Sequence, residues 1–398
     1  MTDPVRTALA AAHAHGPGKS VRVGNRTVRS GRPRPARSVP LDSLGRDPSS
    51  FGATLVRALT VALAPRRWEP WNPHNDHRAY PSPRCVYLAD TTLRLGGDRW
   101  PIDPLRLVLE GERQLPEPAT ITSAVLELTV APDRLSDGYG SLREALALLE
   151  AGHLGSALVE AGLAAGLAVH ASPRGTGGPS GVVTDVAFGP GGAATWPWQQ
   201  VMAARSGALA PRGLSADPRP LPAEVLRRLI QDSRPPAGSL ADRHRGGGLR
   251  HRLAIRGVSA VQDGLYELGE DGPVLLRPGR ATERIQAAFG RGRANVDVAG
   301  MNVIWVITAD LDDVVRGQGP NGYPDTLTTA GAAAQHVCSA AAASGLFCRP
   351  VRSFDEPTAE AAVRAGAAED IVYMMLIGRP RALDFCYDLT DPGESPWH

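Results

Sequence analysis

Short β-branched, apolar runs and long Ala/Leu-rich tracts alternate along the chain. Segments 124–135 (AVLELTVAPDRL) and 303–314 (VIWVITADLDDV) both open as strands and end in polar turns. A helical Ala/Leu-rich tract follows each, at 142–169 and at 326–346, and DIVYMMLIG (370–378) reads as a closing strand. Two tracts carry neither period. Segment 232–250 is a loop, and 172–195 has the Gly, Pro and small residues of an inter-domain linker.

These segments repeat. The strand at 124 recurs at 303, an offset of 179, and Gly152, Ser156 and Gly166-Leu167 recur as Gly331, Gln335 and Gly345-Leu346 at the same offset. Tyr87 in CVYLAD pairs with Tyr266 in GLYELG, again 179 apart, and Arg29-Ser30-Gly31-Arg32 returns as Arg205-Ser206-Gly207-Ala208. A shared offset over independent segments marks a tandem duplication. The expected fold is α+β: two units, each a mixed sheet flanked by helices, packed as an intramolecular pseudo-dimer that keeps an ancestral two-fold interface. The expected boundaries are a basic arm at 1–24, a first unit at 25–175, a linker at 176–195 and a second unit at 196–398.

Composition narrows the chemistry. The chain has 398 residues, 43 basic and 41 acidic, for a net charge of +2. That balance gives no general attraction to nucleic acid or anionic membrane. Cys85, Cys338, Cys348 and Cys386 show no CxxC spacing, which speaks against structural zinc and thioredoxin-type chemistry and fits a reducing, cytoplasmic setting. The N-terminus has no signal-peptide core, and no run is expected to reach spanning length. Lys19 is the sole lysine, so a catalytic lysine is Lys19 or there is none.

Two groups of residues are candidates for a site. Arg29, Ser30 and Arg32, and their counterparts Arg205 and Ser206, offer guanidinium forks and a hydroxyl for a phosphate. Ala208 replaces the last arginine in the second copy, while Arg379 and Arg381 after the final strand could complete a phosphate set there. In His77–Tyr87 (HRAYPSPRCVY), Pro81-Ser82-Pro83 forms a stiff loop with a hydroxyl, suited to the edge of a planar ring; VSAVQ (258–262) stands at the matching offset without the prolines. Trp68, Trp71, Tyr80 and Trp100 surround that loop as a stacking lid or as cover for a core edge. The plainer readings are a solvated arm for the arginines and a turn before a strand for the Pro-Ser loop. HGPGKS (15–20) lacks the first glycine of a Walker loop, and no GxSxG is present.

An RSxR motif, a Pro-Ser loop, a helix with Gly-x3-[Ser/Gln]-x10-Gly-Leu spacing and a closing strand with arginines together resemble the nitroreductase-like FMN oxidoreductases. Segment 138–167 is particularly similar to the SagB-type dehydrogenases, which oxidise azolines to azoles in peptide natural products, and 322–357 shares that look. The resemblance implies FMN between the two units, the phosphate on Arg and Ser of one and the ring under the Pro-Ser loop of the other. One site would then join Arg205, Ser206, Arg379 and Arg381 with Pro81, Ser82 and Arg84. The other would join Arg29, Ser30 and Arg32 with 258–262. The first is favoured, which predicts one flavin per chain. The family's Lys-Tyr pair is replaced by Gly138-Tyr139 and Gly322-Tyr323, making Tyr139 or Tyr323 the implied acid–base residue.

The implied reaction is azoline oxidation with reoxidation by dioxygen. The implied partners are a modified precursor peptide and a cyclodehydratase or other modification enzymes, with a homodimer allowed and neither nucleic acid nor membrane expected. Two alternatives stay open: an NAD(P)H-dependent nitro or quinone reductase, and a flavin-free scaffold that binds the peptide.

Overall fold

The computed structural model describes residues 37–388 except 71, 73, 76, 175–180, 193–197, 209–212, 243–247, 291–295, 367 and 382–386. Lys19 and the expected phosphate residues Arg29, Ser30 and Arg32 lie outside the described residues, as does Trp71. The first half runs β1 (Ser38–Pro40), α1 (Phe51–Leu63), β2 (Arg67–Trp68), β3 (Ala89–Leu95), β4 (Asp98–Asp103), β5 (Val108–Glu110), β6 (Ala124–Val130), α2 (Leu142–Ala164), β7 (Ala168–Pro173) and β8 (Val182–Gly189). Then come α3 (Trp198–Ala204) and α4 (Ala223–Asp232). The second half runs β9 (Arg250–Ile255), β10 (Gly264–Gly269), β11 (Gly272–Pro278), α5 (Ala281–Gln286), β12 (Val303–Ala309), α6 (Leu311–Gln318), α7 (Gly322–Ala343), β13 (Phe347–Val351), α8 (Glu356–Val363), β14 (Asp370–Gly378) and β15 (Tyr387–Asp388).

The halves build matching sheets, β1-β5-β4-β3-β6-β8-β7 and β11-β10-β9-β12-β14-β13. Their ladders are antiparallel rather than mixed. The reason is topological: the helix after β6 or β12 leads to a strand parallel to it, but β8 or β14 inserts between the two. The offset of 179 holds for β6 and β12 and for β7 and β13. It fails on either side. Helix α8 lengthens the path from β13 to β14, and β9 takes the place of β3 only 161 positions on. Tyr266, in β10, is therefore a counterpart of β4 and not of Tyr87, and 258–262 follows β9 whereas the Pro-Ser loop precedes β3. The expected pairing of Arg29, Ser30 and Arg32 with 258–262 loses its basis.

The expected linker also contains a core strand. Val182–Gly189 is β8, paired on both sides within the first sheet, so the first unit extends through Gly189. Gly-rich flanks hid a strand whose Val182, Val183, Val186 and Phe188 are all buried.

Helices α2 and α7 cross at the centre of the molecule, and each is buried round nearly its whole circumference. Contact is closest at the duplicated glycines. A Cβ on Gly152 would fall 1.9 Å from the Thr328 carbonyl oxygen, and one on Gly331 would fall 2.0 Å from that of Leu149. The polar residues at this seam are satisfied across it. His336 Nδ1 lies 2.9 Å from Glu160 Oε1, Ser339 donates to Glu160 Oε2 at 2.8 Å, and His153 Nδ1 lies 3.1 Å from Gln335 Oε1. By length and composition α2 could span a membrane, contrary to expectation, but its small residues serve this helix–helix packing. At the far end β15 returns to pair with β2 of the first half.

Candidate active site

A cleft of about 320 Å³ opens between the lobes beside the first half of α2. Leu142, Leu146, Glu150 and His153 recur every three or four residues, so one stripe of α2 forms its floor, with Tyr139 in the turn just before it. The first lobe supplies the segment from Arg67 to Tyr87. The second supplies Arg205, Gly207 and Ala208 after α3, Arg349 to Ser353 at the end of β13, and Tyr373 of β14.

The first-lobe wall is held in an unusual backbone shape. Arg84, Cys85 and Tyr87 have φ of 53°, 53° and 57°, left-handed values that cost a non-glycine residue about 1–3 kcal/mol each. Surrounding bonds impose them. The Ser82 hydroxyl accepts from the Tyr87 N–H at 2.8 Å, Arg134 donates to the Tyr87 carbonyl at 2.7 Å, and the Tyr87 hydroxyl accepts from the Arg78 N–H at 2.9 Å. The Arg78 guanidinium also stacks 3.7 Å over the Tyr87 ring. Upstream, Asn75 and Asn72 tie the loop to Glu69. Burial raises the Glu69 carboxyl, but bonds from His77 and Asn72 outweigh it and hold its pKa below the usual value.

The opposing wall is cationic. Arg205 is buried, donates through Nη2 to the Arg78 carbonyl at 2.8 Å, and has no partner for Nε among the described residues. The loop after it is sewn to β13: Cys348 N–H donates to the Ser206 carbonyl at 2.9 Å, and Arg349 Nε donates to that of Gly207 at 2.8 Å. With Arg67, Arg84, Arg349 and Arg352 also lining the cleft, five arginines face two carboxylates, Glu69 and Glu150.

Glu150 accepts from the Ala89 N–H at 3.0 Å. Burial nevertheless pushes its pKa up to about 7, against the lowering effect of its bond with Ser82. A raised acid pKa stabilises the fold at low pH, and that contribution is lost as pH climbs from about 4.5 through about 7. Wild type should therefore lose on the order of 3 kcal/mol across that window, and Glu150→Gln should have a flatter profile. Urea midpoints between pH 5 and pH 8 measure this, and parallel profiles would contradict it. Nearby His153, between Gln335 and Tyr373, is held neutral by burial, with its pKa lowered to about 3.

The structure brings Pro81, Ser82, Arg84, Arg205 and Tyr139 to one cleft, and Ser206 adjoins it through a 3.5 Å contact with Arg67. Arg379 and Arg381 lie elsewhere. Their guanidiniums hold the Pro220 carbonyl and the Ser215 hydroxyl on an exposed face. Tyr323 is buried at the start of α7 and does not line the cleft; desolvation raises its pKa. Of the aromatic lid, Tyr80 lines the cleft, Trp100 is in the first core and Trp68 is exposed. Sequence reasoning passed over Arg67, Arg349, Arg352 and Glu150. Arg349 and Arg352 stood within the segment 322–357 already singled out, but nothing in their spacing marked them.

No protein-family model and no curated protein matches the chain. Solved structures do. A candidate nitroreductase from Anabaena variabilis superposes over 95% of this chain and 99% of its own, with TM-score 0.74 at 13% identity. The E. coli microcin synthetase McbBCD complex with truncated pro-MccB17 matches 43% of this chain and 68% of its own (TM-score 0.36, 12% identity). A candidate nitroreductase from Ralstonia eutropha matches 47% and 84% (TM-score 0.35, 18% identity). The long superposition, end to end on both chains, shows that this polypeptide has a nitroreductase fold, with both sheets and the central helix pair carried in one chain.

Proposed function

We propose that the protein is an FMN-dependent oxidoreductase that oxidises azoline rings to azoles in a ribosomally made peptide. The observation that carries this reading is the convergence of a cationic wall and a stiff Pro-Ser loop, from opposite lobes, on one cleft. The residues present fit FMN. Arg205 has a buried Nε without a partner among the described residues, and the donors around it are guanidiniums, the groups that suit a phosphate. Arg205, Ser206 and Arg349 would hold the phosphate, and Pro81 and Ser82 the edge of the ring.

FMN, when bound, supplies the two-electron acceptor. The chain's own residues bind, orient and handle the proton. Tyr139 lies just before the helical floor with the Arg84 guanidinium 5.9 Å from its ring centroid, and its hydroxyl is the group that takes the ring Cα proton. A modified precursor peptide and the enzymes that install its rings are the corresponding partners.

The test is a thiazoline-bearing peptide incubated with the protein under air. The product should be lighter by two hydrogen atoms, and Tyr139→Phe should slow its formation by about 100-fold. No mass change, with rapid NAD(P)H-dependent flavin reduction instead, would favour a nitro or quinone reductase.

A further inference from the structure

The first-lobe wall holds a second constellation that flavin chemistry does not use. Cys85 Sγ lies 3.6 Å from His77 Nδ1, and His77 Nε2 lies 3.2 Å from Glu69 Oε2. All three residues line the cleft. One imidazole nitrogen thus faces the thiol and the other a carboxylate, the order of nucleophile, base and orienting acid found in covalent catalysis. In the tautomer that carries its proton on Nε2, toward Glu69, Nδ1 can accept the thiol proton, which otherwise points to the His74 carbonyl 3.5 Å away. Glu69 is itself fixed, accepting from Asn72 Nδ2 at 2.7 Å and pairing with Arg67 at 3.2 Å.

Two further observations separate this from a chance contact. Cys85 sits in the left-handed region next to Arg84 in the same state, and such strain gathers where a side chain must be presented. The Arg349 guanidinium on the facing wall is close enough to interact electrostatically with both Glu69 and Cys85, which sets a cation in the neighbourhood of the thiol.

We propose that Cys85 is a nucleophilic thiol, with His77 as its base and Glu69 as a positioning residue, that accepts acyl groups from thioesters or activated esters. The thiol proton passes to His77 Nδ1 as Sγ bonds to the carbonyl carbon. The bond from that carbon to the leaving sulfur or oxygen breaks, and the leaving group takes the proton back from His77. Water then adds to the Cys85 thioester, the S–C bond breaks, and a carboxylic acid and the thiol are released.

Two experiments test this on the purified full chain, with p-nitrophenyl acetate and iodoacetamide as probes. The ester should give a burst of about one p-nitrophenolate per chain and leave an acetyl group on the Cys85 peptide in mass spectrometry. Cys85→Ala should abolish the burst, and His77→Ala should slow acylation by about 100-fold. Iodoacetamide should label Cys85 of the wild type with a pH midpoint below the ordinary thiol value of about 8.5, and Glu69→Gln should move that midpoint upward. The alkylation profile needs no variant to fold. Labelling with an ordinary thiol profile, or a burst that survives Cys85→Ala, would overturn the proposal.

Discussion

Alanine at Gly331 is expected to destabilise the protein by about 3 kcal/mol, because the new methyl cannot be accommodated without moving a helix. Its Cβ would lie 2.0 Å from the Leu149 carbonyl oxygen, a backbone atom with no rotamer to escape into. Gly152→Ala should act alike from the other side, where Thr328 O would be 1.9 Å away. The two sites share one contact, so the double variant should lose less than the sum. Gly189→Ala is the control: nothing lies within 4 Å of its Cβ, and it should stay within about 0.5 kcal/mol. Denaturant melts followed by circular dichroism read the difference. Near-wild-type stability of Gly331→Ala would mean that the helices do not meet as described, and the cleft beside them would lose its floor.

The second large effect concerns the flavin. Arg205→Ala should weaken FMN binding by about 100-fold, the loss expected when charge-assisted bonds to a phosphate are removed. Arg205→Lys should recover only part of it, since an ammonium cannot reproduce the fork that also holds the Arg78 carbonyl. Arg379→Ala with Arg381→Ala should change affinity by less than about 2-fold, because these side chains hold Pro220 and Ser215 outside the cleft; a shift that small is well under one hydrogen bond's worth. Fluorescence titration of FMN into each variant would measure this. Equal losses at both places would contradict the assignment of the phosphate to Arg205.

Much of the architecture was legible because duplication writes the same pattern twice. The central helices kept one offset, since a gap inside α2 or α7 would misplace Gly152 against Gly331. Beyond the helices, connections are free to grow. Helix α8 and the longer path from β9 to β12 therefore broke the register, and an alignment by constant offset paired Tyr87 with the wrong strand. The Pro-Ser loop and Arg205 could be found as motifs in one stretch of chain. Arg349 and Glu150 could not: Glu150 meets that loop only when α2 packs within the first lobe, and Arg349 only once the lobes close on each other. His77 and Cys85 were in plain view in HRAYPSPRCVY, yet their pairing depends on positive φ values at Arg84 and Cys85 that a sequence of non-glycine residues does not announce.

The most direct test of the account is the amount of flavin the purified chain binds. Titration with FMN, followed by absorption between roughly 350 and 500 nm, should saturate at one equivalent per chain and lose most of that signal in Arg205→Ala. A protein that stays colourless with FMN in excess, or an Arg205→Ala variant that binds as tightly as wild type, would show that the cleft between the lobes is not a flavin site.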